Sequence, residues 1–132
     1  PNHVAGSEDG GLTWSPARST GIMGQTLTPV PLGEDRLLVL YNRRYGRQGI
    51  VMALVTAGRG DWTVRWEGLL YDARADRRRP DGTASGVDEF ESFAFGFPTA
   101  IRLRDGTYLA THWCRENGRC GIRWTRLRVD WP

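Results

Sequence analysis

Short apolar runs separated by turn-forming residues dominate the chain. They occupy segments 37–41, 50–55, 63–70, 98–103, 108–113 and 121–129. The 17 Gly and 7 Pro residues fall mostly between these runs. No stretch free of Gly and Pro repeats apolar residues at helical spacing over three turns. The pattern predicts an all-β chain built from short antiparallel strands.

A pattern of three predicted strands occurs twice, and the second copy follows the first by about 70 residues. Its copies comprise segments 28–32, 37–41 and 49–50, and segments 98–103, 108–113 and 121–122. We align Pro29 with Pro98, and Gly49 with Gly121. A further strand at 63–70 completes the first copy. A repeat of four antiparallel strands is typical of a β-propeller blade.

Residues 7–14, Ser-Glu-Asp-Gly-Gly-Leu-Thr-Trp, match the pattern S-x-D-x-G-x-T-W through Ser7, Asp9, Gly11, Thr13 and Trp14. The Asp9 carboxylate can accept backbone N–H bonds of a turn. Gly11 can adopt the positive φ that such a turn needs. We expect Thr13 and Trp14 to begin the outgoing strand, with the indole packed on the hairpin. A structural role for Asp9 is therefore favoured over catalysis.

This segment resembles the Asp-box of the sialidase (neuraminidase) superfamily, the BNR-repeat glycoside hydrolases, and the resemblance covers nearly the whole chain. It implies the C-terminal portion of a six-bladed propeller. Segment 1–20 would end one blade, 26–72 would form a full blade, and 96–129 a last blade without its outer strand. Since closed propellers have about four to eight blades, and the chain starts at Pro1, we expect a piece of a longer protein. Missing N-terminal blades or a second copy would cover the open edges.

The resemblance also implies site residues. Sialidases of this superfamily hold the substrate carboxylate with three Arg, and use a Tyr–Glu pair as nucleophile and an Asp as acid/base. Arg47-Gln48-Gly49-Ile50 falls where the third Arg belongs. Gly96-Phe97-Pro98-Thr99 falls where the Tyr segment belongs, but Phe97 has no hydroxyl to activate. The resemblance thus implies substrate binding by Arg47 and no Tyr-nucleophile mechanism.

Loops at 43–48, 73–95 and 115–119 would lie together at one end of an antiparallel stack, where sites are commonly built. The alternative is that they are insertions without function. Arg binds carboxylates bidentately, so a carbohydrate, an acidic sugar in particular, is the expected partner. The candidates for substrate binding are Arg43, Arg44, Arg47 and Phe97; the catalytic candidates are Glu89 and Glu91. Each of these has the alternative of being an ordinary surface residue or ion-pair partner.

Composition narrows the remaining classes of function. A net charge of +3 is too small to indicate a nucleic-acid binder, and the run 77–79 is either a solvated loop or a phosphate contact. No apolar run is long enough for a membrane span, and no cofactor or metal motif occurs. Cys114 and Cys120 are expected to face each other across a hairpin, as a disulfide or as two packed thiols.

Two functions remain in competition at this point. The first is a sialidase-like glycoside hydrolase domain that acts on or binds carbohydrate. The second is a carbohydrate-binding or structural Asp-box propeller without turnover.

Overall fold

The computed structural model describes residues 1–58, 61–73 and 94–132 and confirms an all-β chain. No α-helix occurs among these residues, and hence none that could cross a membrane. The strands are β1 (His3–Val4), β2 (Arg18–Ser19), β3 (Gln25–Gly33), β4 (Arg36–Arg43), β5 (Gly49–Thr56), β6 (Thr63–Asp72), β7 (Phe95–Arg102), β8 (Tyr108–Glu116) and β9 (Arg119–Leu127).

The strands form three antiparallel sheets whose neighbours follow chain order. A hairpin sheet contains β1 and β2, a central sheet contains β3 to β6, and a C-terminal sheet contains β7 to β9. Each predicted apolar run coincides with one of these strands, although β7 ends at Arg102, one residue before the end of its run, and β9 ends at Leu127, two residues before the end of its run. The sheets do not close into a ring.

The two copies of the repeat share a β-bulge near the start of their first strand. Thr28 lies opposite Leu40 in the central sheet, and Thr99 lies opposite Thr111 in the C-terminal sheet. The shared register makes Thr28 equivalent to Thr99 and Pro29 equivalent to Ala100. The sequence alignment of Pro29 with Pro98 is therefore wrong, because Pro98 lies inside the bulge of its strand whereas Pro29 follows the bulge.

The two middle strands of the central sheet, β4 and β5, are buried on both faces. Its front face, which carries Val39 and Tyr41, packs against Ile22 just after the hairpin sheet. Its back face, which carries Leu38 and Leu54, packs against Tyr108 of the C-terminal sheet. Because alternate strand residues point to opposite faces, the C-terminal sheet stacks on the back face of the central sheet, while the segment that follows β2 covers part of the front face.

The Asp-box is a tight hydrogen-bonded turn, as predicted. The Asp9 carboxylate accepts the Thr13 hydroxyl at 2.6 Å and the backbone N–H groups of Leu12 and Thr13 at 3.0 and 2.9 Å. These bonds, led by that of the Thr13 hydroxyl, hold the pKa of Asp9 well below its usual range. Gly11 has φ 95°, and the Trp14 indole N–H donates to its carbonyl at 3.1 Å. Thr13 and Trp14 nevertheless precede β2, so their placement in the outgoing strand is wrong.

The β8–β9 connection is shorter than the loop expected at 115–119. Glu116 pairs with Arg119, so only Asn117 and Gly118 form the turn. Their φ values of 50° and 77° suit a two-residue hairpin turn of type I′. Arg115 consequently belongs to a strand and not to a loop.

This turn also sets the positions of the two cysteines. Cys114 lies opposite Gly121, whereas Cys120 lies opposite Arg115. Neighbours along a strand point to opposite faces, so Cys114 is buried while Cys120 is exposed, and the two do not form a disulfide. The prediction that they face each other is wrong, because the hairpin register is displaced by one residue from the one that pairing would need.

Candidate functional site

Most of the predicted site residues lie at one end of the stack. We call this the loop end; it contains the starts of β3 and β7 and the ends of β4 and β8. Arg43, Arg44, Arg47 and Phe97 are found here. Glu89 and Glu91, and the basic run 77–79, lie outside the described residues.

Arg43 belongs to an ion pair within the central sheet. One of its terminal nitrogens donates to Glu67 at 2.6 Å, and its Nε donates to the Arg47 carbonyl at 3.0 Å. The Tyr41 hydroxyl donates to the same carboxylate. Burial, together with this bond, raises the pKa of Tyr41 well above its usual range. The geometry gives Arg43 a structural role.

Arg47 points towards the outer strand of the central sheet. Its guanidinium donates to Asp72 Oδ2 at 3.2 and 3.3 Å, and the side chain is exposed. Since Asp72 is the last residue of β6, Arg47 is directed away from β3, the first strand of the same sheet. Arg43 and Arg47 therefore pair with different carboxylates, those of Glu67 and Asp72.

Arg44 lies instead at a cleft of about 240 Å³ at the loop end. Its Nε donates to Gln25 Oε1 at 3.0 Å, and its guanidinium lies 5.1 Å from the ring centre of Phe95. Burial lowers the pKa of Arg44, although an Arg stays charged in proteins. None of the described lining residues is acidic; they are Pro1, Asn2, Met23, Gly24, Gln25, Asn42, Arg44 and Tyr45.

Asn42 is one of the lining residues that the sequence analysis missed. It is buried, and its Nδ2 donates to the Thr26 hydroxyl. Within the described part of the chain, its Oδ1 finds no hydrogen-bond partner, and neither does the buried Nδ2 of Asn2. Buried polar atoms normally have partners. The cleft thus combines an acceptor, a donor and a cation that a polar ligand could engage.

The backbone is strained at equivalent positions of both repeats. Thr26 has φ 47° and Phe97 has φ 48°, each inside the bulge of its strand. Positive φ is a true outlier for β-branched and bulky residues. The Thr28 hydroxyl donates to the Pro98 carbonyl at 2.7 Å and so joins the two bulges. Strain of this kind concentrates at functional sites, and Phe97 presents an aromatic side chain that is 67% exposed.

A second group of polar residues lies between the central and C-terminal sheets. His112 is buried, its ring lies 4.9 Å from that of Tyr71, and neither ring nitrogen has a hydrogen-bond partner in the described structure. Burial, and secondarily Arg123, lowers the pKa of His112. Arg123 donates to Glu116 at 2.7 Å and lowers the pKa of that carboxyl. This group holds a neutral histidine in the interface between the sheets.

Comparison of the chain with models of known families, with curated proteins and with solved structures finds no match. The described residues also contain no group of three or more His, Cys, Asp or Glu side chains placed to hold a metal ion. The interpretation of the site consequently depends on the loop-end cleft and on the Asp-box motif.

Proposed function

We propose that this chain is part of a sialidase-like Asp-box β-propeller and binds carbohydrate in the loop-end cleft. Its antiparallel meanders stack face to face in chain order, which is how propeller blades follow one another. The hydrogen-bonded Asp9 turn at the start of the stack supports the same assignment.

The observation that carries the binding proposal is the buried carbonyl oxygen of Asn42 beside Arg44. Sugar hydroxyl groups both donate and accept, so they can satisfy the amides of Asn42 and Asn2. The guanidinium of Arg44 suits the carboxylate of an acidic sugar. The cleft is smaller than the range of about 300–1,000 Å³ of drug-sized ligand sites, and so favours a single sugar unit.

We further propose that the site binds without the Tyr-nucleophile chemistry of true sialidases. Covalent catalysis needs an activatable oxygen, and Phe97 offers only a ring. A different glycosidase mechanism through Glu89 or Glu91 would need a second carboxyl group about 5–5.5 Å away if retaining, or about 6.5–9.5 Å away if inverting. The described residues that line the cleft include no carboxylate.

Sugar binding is tested by NMR titration with the methyl glycosides of N-acetylneuraminic acid, glucuronic acid and glucose. We expect the acidic sugars to bind more tightly. Arg44→Gln should weaken their binding about 10- to 100-fold, the value of one charge-assisted contact. Arg47→Gln is the matched control, since this Arg lies in the same loop but pairs with Asp72.

The two Arg variants distinguish sugar binding in the cleft from sugar binding at the Arg position that the family resemblance implies. Loss of binding in Arg47→Gln but not in Arg44→Gln would favour the position implied by the resemblance over the cleft. Absence of binding to all three sugars would refute the proposal. Hydrolysis of an aryl sialoside by the unmutated protein, with a trapped covalent intermediate, would refute the assignment of Phe97; activity gained only in Phe97→Tyr would support it.

A further inference from the structure

A row of packed rings connects the interface between the central and C-terminal sheets with the loop-end cleft. The His112 ring lies 4.9 Å from that of Tyr71, and the Tyr71 ring lies 6.1 Å from that of Phe95. The ring of Phe95 lies 5.1 Å from the guanidinium of Arg44, the cation of the cleft. Because closely packed interiors transmit displacements, a change at His112 can reach Arg44 through the two rings between them.

His112 is the member of this row whose charge can change in mild acid. It is 3% exposed, and neither ring nitrogen has a hydrogen-bond partner in the described part of the chain. The titratable and charged groups around it are Tyr71 on β6, Arg123 on β9, and Cys114 and Glu116 on β8. A buried charge without a partner is costly, and Arg123 adds repulsion. An imidazolium is therefore unstable in the position that the neutral ring occupies.

Glu116 gives the charged ring a direction in which to move. It lies on the same face of β8 as His112, because alternate residues of a strand share a face, and it is partly exposed at the loop end. Hydrogen bonds, led by that of Arg123, lower the pKa of its carboxyl, so Glu116 stays ionised in mild acid and attracts an imidazolium. The neutral ring thus packs on Tyr71, whereas the charged ring is drawn towards Glu116 and water. These two positions form the bistable element that such a switch needs.

We propose that mild acid weakens ligand binding in the loop-end cleft, because the charged form of His112 displaces Arg44 through the two rings. This regulation rests on the proposed function for the identity of the ligand. The described side chains that line the cleft do not titrate in mild acid, since Tyr and Arg titrate near about 10 and 12.5. A fall in affinity there must originate outside the cleft. Because linkage is reciprocal, a bound acidic sugar should weaken proton binding by His112 by the same factor.

The test is NMR titration with the methyl glycoside of N-acetylneuraminic acid between about pH 7.5 and about pH 4.5, a range that spans the ordinary histidine pKa and leaves a carboxylate largely ionised. We expect the affinity to fall at least about fivefold towards acid, the lower end of typical coupling. His112→Phe, which keeps a ring against Tyr71, should remove this fall and leave binding at neutral pH unchanged. His3→Gln is the matched control, because the chain has two histidines and His3 is exposed, and the fall should persist in this variant.

The outcomes separate this proposal from the proposed function. An affinity that does not change with pH, a fall that persists in His112→Phe, or one that is lost in His3→Gln would overturn the proposal.

If no sugar binds at any pH, the proposed function fails, and the protein without ligand still tests the coupling. Its Arg44 Nε–H resonance should move with the titration of the His112 ring, and a resonance that stays constant would overturn the coupling. If His112→Phe does not fold, Phe95→Leu replaces it: His112 should then still titrate, while Arg44 no longer responds.

Discussion

Gly49 and Gly121 occupy equivalent positions in the repeat but have different surroundings. Gly49 pairs with Asp72 on β6, and a Cβ added to it would lie 1.9 Å from the Tyr71 carbonyl oxygen. That oxygen belongs to the backbone and cannot move without disturbing the β5–β6 ladder. A Cβ added to Gly121 meets nothing within 4 Å, because β9 is the last strand of its sheet.

The size of the effect follows from this contact. Overpacking in a well-packed region costs about 1–3 kcal/mol, and a backbone clash belongs at the upper end. Loss of a ladder hydrogen bond, worth about 1 kcal/mol, is counted within this cost. We therefore expect Gly49→Ala to lower the free energy of unfolding by about 3 kcal/mol, a large part of the roughly 5–15 kcal/mol typical of a domain. Gly121→Ala should stay within about 0.5 kcal/mol of the unmutated protein, since surface changes usually do.

Urea unfolding, followed by tryptophan fluorescence at low protein concentration, measures the stability of both variants. With an m-value of about 1–3 kcal/mol/M, the midpoint of Gly49→Ala should fall by roughly 1–3 M. A midpoint unchanged by Gly49→Ala would refute the close β5–β6 contact. A cost at Gly121 equal to that at Gly49 would show instead that a fourth strand covers β9.

Three further results are expected. A thiol reagent should label Cys120 in the native protein and Cys114 only on unfolding, whereas rapid labelling of both would contradict the register of β8 and β9. Because the pKa of buried His112 is lowered, the unfolded state binds a proton that the folded state does not, and stability should fall as the pH drops below about 6.5. In urea midpoints measured as a function of pH, His112→Gln should remove this fall. A pH profile that His112→Gln leaves unaltered would argue against a lowered pKa of His112. Phe97→Gly should raise the free energy of unfolding by about 0.5–1 kcal/mol through relief of its positive φ. Ile101→Gly, at an exposed site in the same strand with ordinary backbone geometry, should lower this free energy, and equal losses in the two variants would exclude strain at Phe97.

Local patterns were sufficient for the strands and for the Asp-box. Apolar runs bounded by Gly and Pro predict strands whichever sheet they join. The Asp9 turn is held by bonds between residues at most four apart, so its geometry depends on its own segment alone. The propeller remains a prediction, because the described sheets form no closed ring. The binding of a sugar in the cleft also remains a prediction.

The tertiary structure decided which side chains meet. A two-residue turn set the register that separates Cys114 from Cys120, and Pro98 is not equivalent to Pro29 because it lies inside a bulge that Pro29 follows. The adjacent residues Arg43 and Arg44 bond to different partners, Glu67 and Gln25, because neighbouring side chains at the end of β4 point to opposite faces of the central sheet. Asn42 continues an apolar run in the sequence, and only the tertiary structure around it shows that its buried oxygen has no partner among the described residues.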